Sequence, residues 1–146
     1  MRFVSMTTLA NRIKAHEGRR FKPYQDILGV WTVGYGRNMD AVPFSQDEID
    51  LMFDNDLRRA RDGAETFFVY SQLNQARREV LIEMIFQLGL VGVSKFKRFL
   101  AAATKEDWST AAKEMLDSKW FRQTPGRAKE LSETFERGGV ENARLL

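Results

Sequence analysis

Glu17 and Asp26 stand nine residues apart in contrasting settings. Glu17 closes a short helical pattern against Gly18, and Asp26 lies in a turn between two runs of aromatic and branched residues, FKPYQ and VWTVGYG. A hairpin folding back on the helix end would bring both carboxyls to one place. Glycoside hydrolysis requires such a pair, one acid to protonate the leaving oxygen and one carboxylate to manage the water or the developing cation. Spacing alone is weak support, because the chain has 20 acidic residues and most such groups are solvated surface charges. The setting adds to it. Thr32 follows on the next strand, where its hydroxyl could help Asp26 hold a water. Gly34 and Gly36 leave the same face bare, so that a broad polymer could approach the backbone. The same glycines would equally serve the twist of a tight hairpin.

The elements that must position these residues can be read from pattern and punctuation. Leu9 and Ile13, one helical turn apart, follow the candidate N-caps Thr7 and Thr8 and precede Gly18, which predicts a helix over 8–17. Residues 21–35 hold Pro23 and Gly29 and alternate in their second half, which predicts a β-hairpin or small sheet. Val30, Thr32, Gly34 and Gly36 would share one face of its second strand and Trp31, Val33 and Tyr35 the other. SQDE at 45–48 fits a capping box, and Ile49, Met52, Phe53 and Leu57 follow at helical spacing, predicting a long helix from about Gln46 to the region of Glu65. Gly63 weakens its end. Val80, Leu81, Met84, Ile85 and Leu88 mark a buried central helix stopped by Gly89. Further helices are expected over 95–103, 107–117 and 127–135, with Thr124, Pro125 and Gly126 breaking the chain between the last two. Helix, small sheet, then many helices describe a mainly α, α+β protein.

Composition narrows the function classes. A chain of 146 residues with 43% hydrophobic content fits a single domain with a real core. Lys and Arg number 23 against 20 Asp and Glu, a formal charge of +3 with a pI near 9.3, compatible with an acidic polymer as partner. The cations of 54–65 and 77–83 alternate with acids, so no basic stripe for nucleic acid forms. Without cysteine there is neither a disulfide framework nor a thiolate site. His16 is the single histidine, so no metal is expected, and no phosphate loop or dinucleotide fingerprint calls for a cofactor. The start lacks a secretory h-region and no run approaches a membrane span, which predicts a soluble product made in the cytoplasm.

Three blocks carry a family resemblance. HEGRRFKPYQDILGVWTVGYGR at 16–37 resembles the E-G … Y-x-D-x-x-G-x-x-T-x-G-x-G segment of phage lysozymes of the T4 type, glycoside hydrolase family 24. RREVLIEMIFQLGLVGVSKF at 77–96 is similar to that family's central buried helix, and SKWFRQTPGRAKELSETF at 118–135 to its C-terminal W-x-x-Q-T-P-x-R-A segment. The resemblance implies one lysozyme-like domain over 1–146, with a small β lobe at about 18–45, an inter-lobe helix at about 46–66, and a larger helical lobe of 67–146 together with helix 8–17.

It also implies roles. Glu17 matches the catalytic acid, Asp26 the catalytic aspartate and Thr32 the threonine that helps place the water. Arg127 matches an arginine that pairs with the catalytic glutamate and bridges the lobes. Gly36, Phe86, Gln87 and Trp120 match substrate-site positions, although Phe86 and Trp120 would each equally suit core packing. Two positions depart from the pattern. Arg37 stands where a histidine of a structural His–carboxylate pair is usual, and Glu83 where an Asn is, so a buried Glu83 would need a partner such as Arg127 or a lysine. The stretch from Arg37 to Ser45 is also short, which implies a reduced small lobe.

The activity implied is that of a muramidase cutting the β-1,4 bond between N-acetylmuramic acid and N-acetylglucosamine, by inversion. Burial of Glu17 would favour its acid form and Arg127 would oppose that. As a monomeric endolysin the protein would reach peptidoglycan in the periplasm only with a holin-type membrane permeabilisation. The alternatives are an inactive lysozyme-fold peptidoglycan-binding module and a virion-borne lysozyme.

Overall fold

The structure, a computed structural model, describes residues 8–139. Its elements run α1 (Leu9–Glu17), β1 (Arg20–Gln25), β2 (Trp31–Gly34), β3 (Arg37–Asn38), α2 (Gln46–Glu65), a 3-10 turn (Phe68–Gln72), α3 (Gln75–Ser94), α4 (Lys97–Thr104), α5 (Trp108–Leu116), α6 (Lys119–Gln123) and α7 (Pro125–Arg137). This is the mainly α, α+β, lysozyme-like fold expected. Internal contacts divide the chain into two compact units, one up to Ile49 and one from Asp50 on. Helix α1 is grouped with the sheet in the first unit.

In the first unit, local chemistry fixes each element. Thr8 accepts a hydrogen bond from the Asn11 amide to start α1, and Gly18, at φ 76°, ends it. The left-handed region is open to glycine at no steric cost, so the helix stops with Glu17 as its last residue. The sheet is antiparallel in the order β1-β2-β3. Arg20 faces Gly34, Tyr24 faces Thr32, and Thr32 in turn faces Asn38. Four residue steps on β1 match two on β2 between these pairs, so β1 bulges at Phe21–Pro23. Among the described residues up to Ile49 only Thr32 is buried.

The alternation expected of β2 does not extend to Gly36. Gly34 and Gly36 both adopt positive φ, 69° and 78°, and form the turn into β3. Alternation requires extended backbone, so these two glycines shape a corner instead of a flat bare face.

The second unit holds the core. Helix α3 contributes Val80, Leu81, Met84 and Ile85, packed with Phe99 of α4, Met115 of α5, Trp120 of α6 and Leu131 and Phe135 of α7. A helix enclosed on most sides carries apolar residues all round, which is why 80–85 read as a nearly continuous apolar run. Gly89, at φ 83° and ψ 159°, breaks α3 where a stop was expected, and the chain resumes helix to Ser94. Helix α2 begins with the predicted capping box, Glu48 accepting from the Ser45 amide at 2.8 Å and Ser45 accepting from the Glu48 amide at 3.3 Å. Its packing differs from expectation. Ile49, Met52 and Phe53 are exposed, and the buried residues are Ala60, Gly63 and Ala64. Small side chains let helices approach closely: a Cβ on Gly63 would lie 3.5 Å from Leu90 and 3.6 Å from Ile85. Pro125 and Gly126 do not break the chain but open α7, where proline's missing N–H costs nothing. The short α6, capped by Ser118, was not foreseen. Among the described residues no helix is long and apolar enough to cross a membrane.

Leu81 is fully buried and Leu51 exposed. Leu81→Ala should therefore cost about 2–5 kcal/mol, and Leu51→Ala within about 0.5 kcal/mol, in urea denaturation.

Candidate active site

Glu17 is placed by a close approach. A Cβ on Gly36 would sit 2.5 Å from Glu17 Oε1 and 2.9 Å from its Cδ, so the carboxylate rests directly on the Gly36 backbone. Glycine is favoured here by its φ of 78°, and a methyl would require the Glu17 side chain to swing away. Glu17 itself is exposed, because α1 has no buried residue; burial of Glu17 was the expectation, and the structure corrects it. The carboxylate also lies at the C-terminal end of α1, where the exposed carbonyl ends of a helix repel negative charge. Lys14 in the same last turn offsets that repulsion.

Asp26 is held by the hairpin turn. Its Oδ1 accepts from the amides of Leu28 at 2.8 Å and Val30 at 2.9 Å, while its own amide donates to the Val30 carbonyl at 2.9 Å. This is an Asx-type turn, completed by Gly29 at φ 78°. Thr32 is 5% exposed, and its Oγ1 donates to the same Val30 carbonyl at 2.9 Å. Val30 thus ties Asp26 to Thr32. With its proton committed to Val30, the Thr32 hydroxyl offers its lone pairs as an acceptor.

The departure at Arg37 resolves into an ion pair. Arg37 Nη1 donates to Glu48 Oε1 at 2.7 Å and Nη2 pairs with Glu48 Oε2, a two-pronged contact from β3 to the start of α2. Glu48 therefore serves both the capping box and Arg37. These bonds, Arg37 first and the Ser45 amide second, hold its carboxyl down from 4.5 to about 2.

The remaining predicted site residues belong to the second unit. Trp120 is buried in the core, and its indole N–H donates to Gln87 Oε1 at 3.0 Å, while Gln87 Nε2 contacts Thr124 Oγ1 at 3.4 Å. Both side chains are thus engaged in packing. Phe86 is partly exposed against Phe53, with ring centroids 5.6 Å apart. Arg127 Nε donates to Glu83 Oε2 at 2.8 Å; the pairing implied by resemblance was with Glu17. Glu83 is not buried, so its partner lines a half-open hollow of about 290 Å³ together with Phe53 and Phe86. Sequence reasoning missed the Val30 carbonyl and the second role of Glu48. The D-x-x-G spacing of Asp26 and Gly29 was a signal for the first; nothing local joins Glu48 to Arg37. Among the described residues no group of three or more His, Cys, Asp or Glu could hold a metal ion.

Comparison with known families places this geometry. The family described as phage lysozyme matches residues 14–137, from before Glu17 to the end of α7. The chain belongs to the phage lysozyme family. Its activity class is accordingly glycoside hydrolysis of the lysozyme type. Two similar proteins of Dictyostelium discoideum are named probable T4-type lysozyme 1 and 2. The first is 25% identical, over 91% of this chain and 96% of its own length; the second is 28% identical, over 93% and 98%. The pre-baseplate central spike protein Gp5 of Enterobacteria phage T4 is 27% identical over 92% of this chain, which spans 28% of Gp5.

Two outcomes follow from these contacts. Gly36→Ala should destabilise the protein by roughly 1–2 kcal/mol through strain at positive φ, read from thermal unfolding, and should displace the Glu17 carboxylate. Because the Glu48 pKa is depressed in the folded state, its ion pair stabilises fully above pH 4.5 and ceases to do so as pH falls through about 2. The melting-temperature gap between wild type and Glu48→Gln should accordingly be present at pH 6 and close toward pH 2; a gap that persists unchanged in acid would rule the pair out as its source.

Proposed function

We propose that the protein is a muramidase that hydrolyses the β-1,4 bond between N-acetylmuramic acid and N-acetylglucosamine in peptidoglycan. The observation that carries this reading is the Glu17 carboxylate lying on bare Gly36 backbone, open to a substrate, with an orderly Asp26–Val30–Thr32 network in the same unit. Membership of the phage lysozyme family supports it.

The chemistry follows from donors and acceptors. Glu17, in its acid form, gives a proton to the glycosidic oxygen as the bond to the anomeric carbon breaks. Asp26 Oδ1 is taken up by two amides, which leaves Oδ2 for a water. That water donates one hydrogen to Asp26 and the other to the Thr32 hydroxyl, whose own proton is engaged, so its lone pair is aimed at the anomeric carbon. Attack forms the new C–O bond, Asp26 takes the water's proton, and the product anomer is inverted.

We extend the proposal to biology as follows. The protein acts as a monomeric endolysin, made in the cytoplasm of a bacterial host and released onto the wall by a holin-type permeabilisation of the membrane. Its membership of the phage lysozyme family supports this role.

Glu17→Gln should abolish lysis of permeabilised Gram-negative cells, with a melting temperature at or above that of the wild type, since the charge it removes sits at the negative end of α1. Mass spectrometry of wild-type digests should find reducing muramic-acid ends, and NMR should find the α-anomer formed first; reducing glucosamine or anhydro ends would overturn the assignment. Thr32→Val, which keeps shape and removes the acceptor, should lower the rate by about 10²-fold or more, and Thr32→Ser far less.

A further inference from the structure

The first unit exposes apolar side chains along the outer edge of its sheet in a pattern that the hydrolytic site does not use. At the hairpin tip Ile27 is 100% exposed and Leu28 83%, and at the bulge of β1 Phe21 is 82% exposed. Scattered exposed apolar residues are ordinary, but here three of the largest lie on one strand and its turn. The register explains their display. The extra residues in β1 push Phe21 out of the sheet, and the Asx turn that fixes Asp26 projects Ile27 and Leu28 beyond the strands.

Cations stand with them. Residues 9–25 contain five Arg or Lys and a single acid, Glu17. Arg19 lies 5.0 Å from the Phe21 ring and Arg20 4.3 Å from the Tyr24 ring. Asp26, the one acid at the tip, turns its Oδ1 inward onto two amides. Among the described residues β1 is an edge strand, paired with β2 alone. Pro23 lacks an amide hydrogen, which disfavours a further strand from a second copy or a peptide. An apolar edge with interleaved cations suits a surface that is anionic outside and apolar just beneath.

We propose that the β1 edge and hairpin tip bind an anionic lipid bilayer, with Ile27 and Leu28 entering the acyl boundary, Phe21 at the interface, and Arg19, Arg20 and Lys22 among the headgroups. β1 and its turn carry apolar anchors at Phe21 and at Ile27 and Leu28, with Lys22 between them and Arg19 and Arg20 immediately before Phe21. Aromatic and long basic side chains suit this layer, since each keeps an apolar body with a polar or charged end. The inference is independent of the muramidase reading, because it uses no catalytic group.

The test is sedimentation of the full chain with vesicles of phosphatidylglycerol and phosphatidylethanolamine, and with phosphatidylcholine alone. The protein should pellet with the anionic vesicles and stay largely free of the neutral ones, and salt should weaken the binding. Ile27→Ser should lower the partition coefficient about tenfold, and Arg19→Gln with Arg20→Gln by a similar factor. In Ile27→Trp the introduced indole should shift its emission to the blue on binding, and acyl-brominated lipids should quench it. Circular dichroism checks that each variant keeps its helices. Absence of pelleting with anionic vesicles overturns the proposal. So does pelleting indifferent to Ile27→Ser with an unshifted indole, which would assign the cations to acidic polymers in general, such as a soluble wall polymer that competes fully.

Discussion

The closeness of the Glu17 carboxylate to the Gly36 backbone sets the terms for the rest of the first unit. It requires a helix that stops at Glu17, which Gly18 provides, and a β2–β3 corner that presents backbone instead of a side chain, which Gly34 and Gly36 provide through positive φ. It also sets a carboxylate at the negative end of a helix, an arrangement that stability alone disfavours. The carboxylate keeps that place beside Gly36, whose positive φ presents backbone to it instead of a side chain.

The hairpin solves a different problem, that of aiming a carboxylate on a turn. Turns are mobile unless their polar groups are tied down. Here the Val30 peptide does the tying, its N–H to Asp26 and its carbonyl to both the Asp26 amide and the Thr32 hydroxyl. The effect extends beyond rigidity. By accepting the hydroxyl proton, Val30 fixes the sense in which Thr32 can bond anything else, so a backbone atom determines the polarity of a side chain two residues away.

Much of this was legible in the sequence where a single residue type has a single physical use. Thr8, Gly18, the Ser45–Glu48 box and Gly89 marked element ends because caps and left-handed glycines act locally, and the Val80–Ile85 run marked the core because apolar density signals enclosure. Glu17 and Asp26 stood out as a candidate pair by their setting and by family resemblance, not by spacing. What escaped was whatever depends on a partner distant in sequence. Helical spacing of Ile49, Met52 and Phe53 signals an apolar stripe but not what covers it, and the structure leaves these exposed while the small residues Ala60, Gly63 and Ala64 make the close contact. The strand period likewise could not warn that it ends at Gly34, since a glycine is equally at home extended or left-handed. Arg37 and Glu48, eleven residues apart, gave no sign of each other.

The two units rest on different physics. From Asp50 on, a fully enclosed apolar core of α3, Phe99, Met115 and Phe135 supplies stability that is insensitive to pH and only weakly sensitive to salt. Up to Ile49, with Thr32 as the only buried described residue, hydrophobic burial has little to work with, and order comes from a chain of polar contacts: the Thr8 cap, the Asp26 turn, the Arg37–Glu48 pair and the Ser45 box. Contacts of that kind are directional, so they fix angles that apolar packing leaves loose, and each is individually modest and exposed to solvent. The residues proposed for chemistry all sit in the unit held this way. The same scarcity of buried apolar contacts that makes this unit the less stable one leaves its Glu17, Asp26 and hairpin edge free to be contacted from outside.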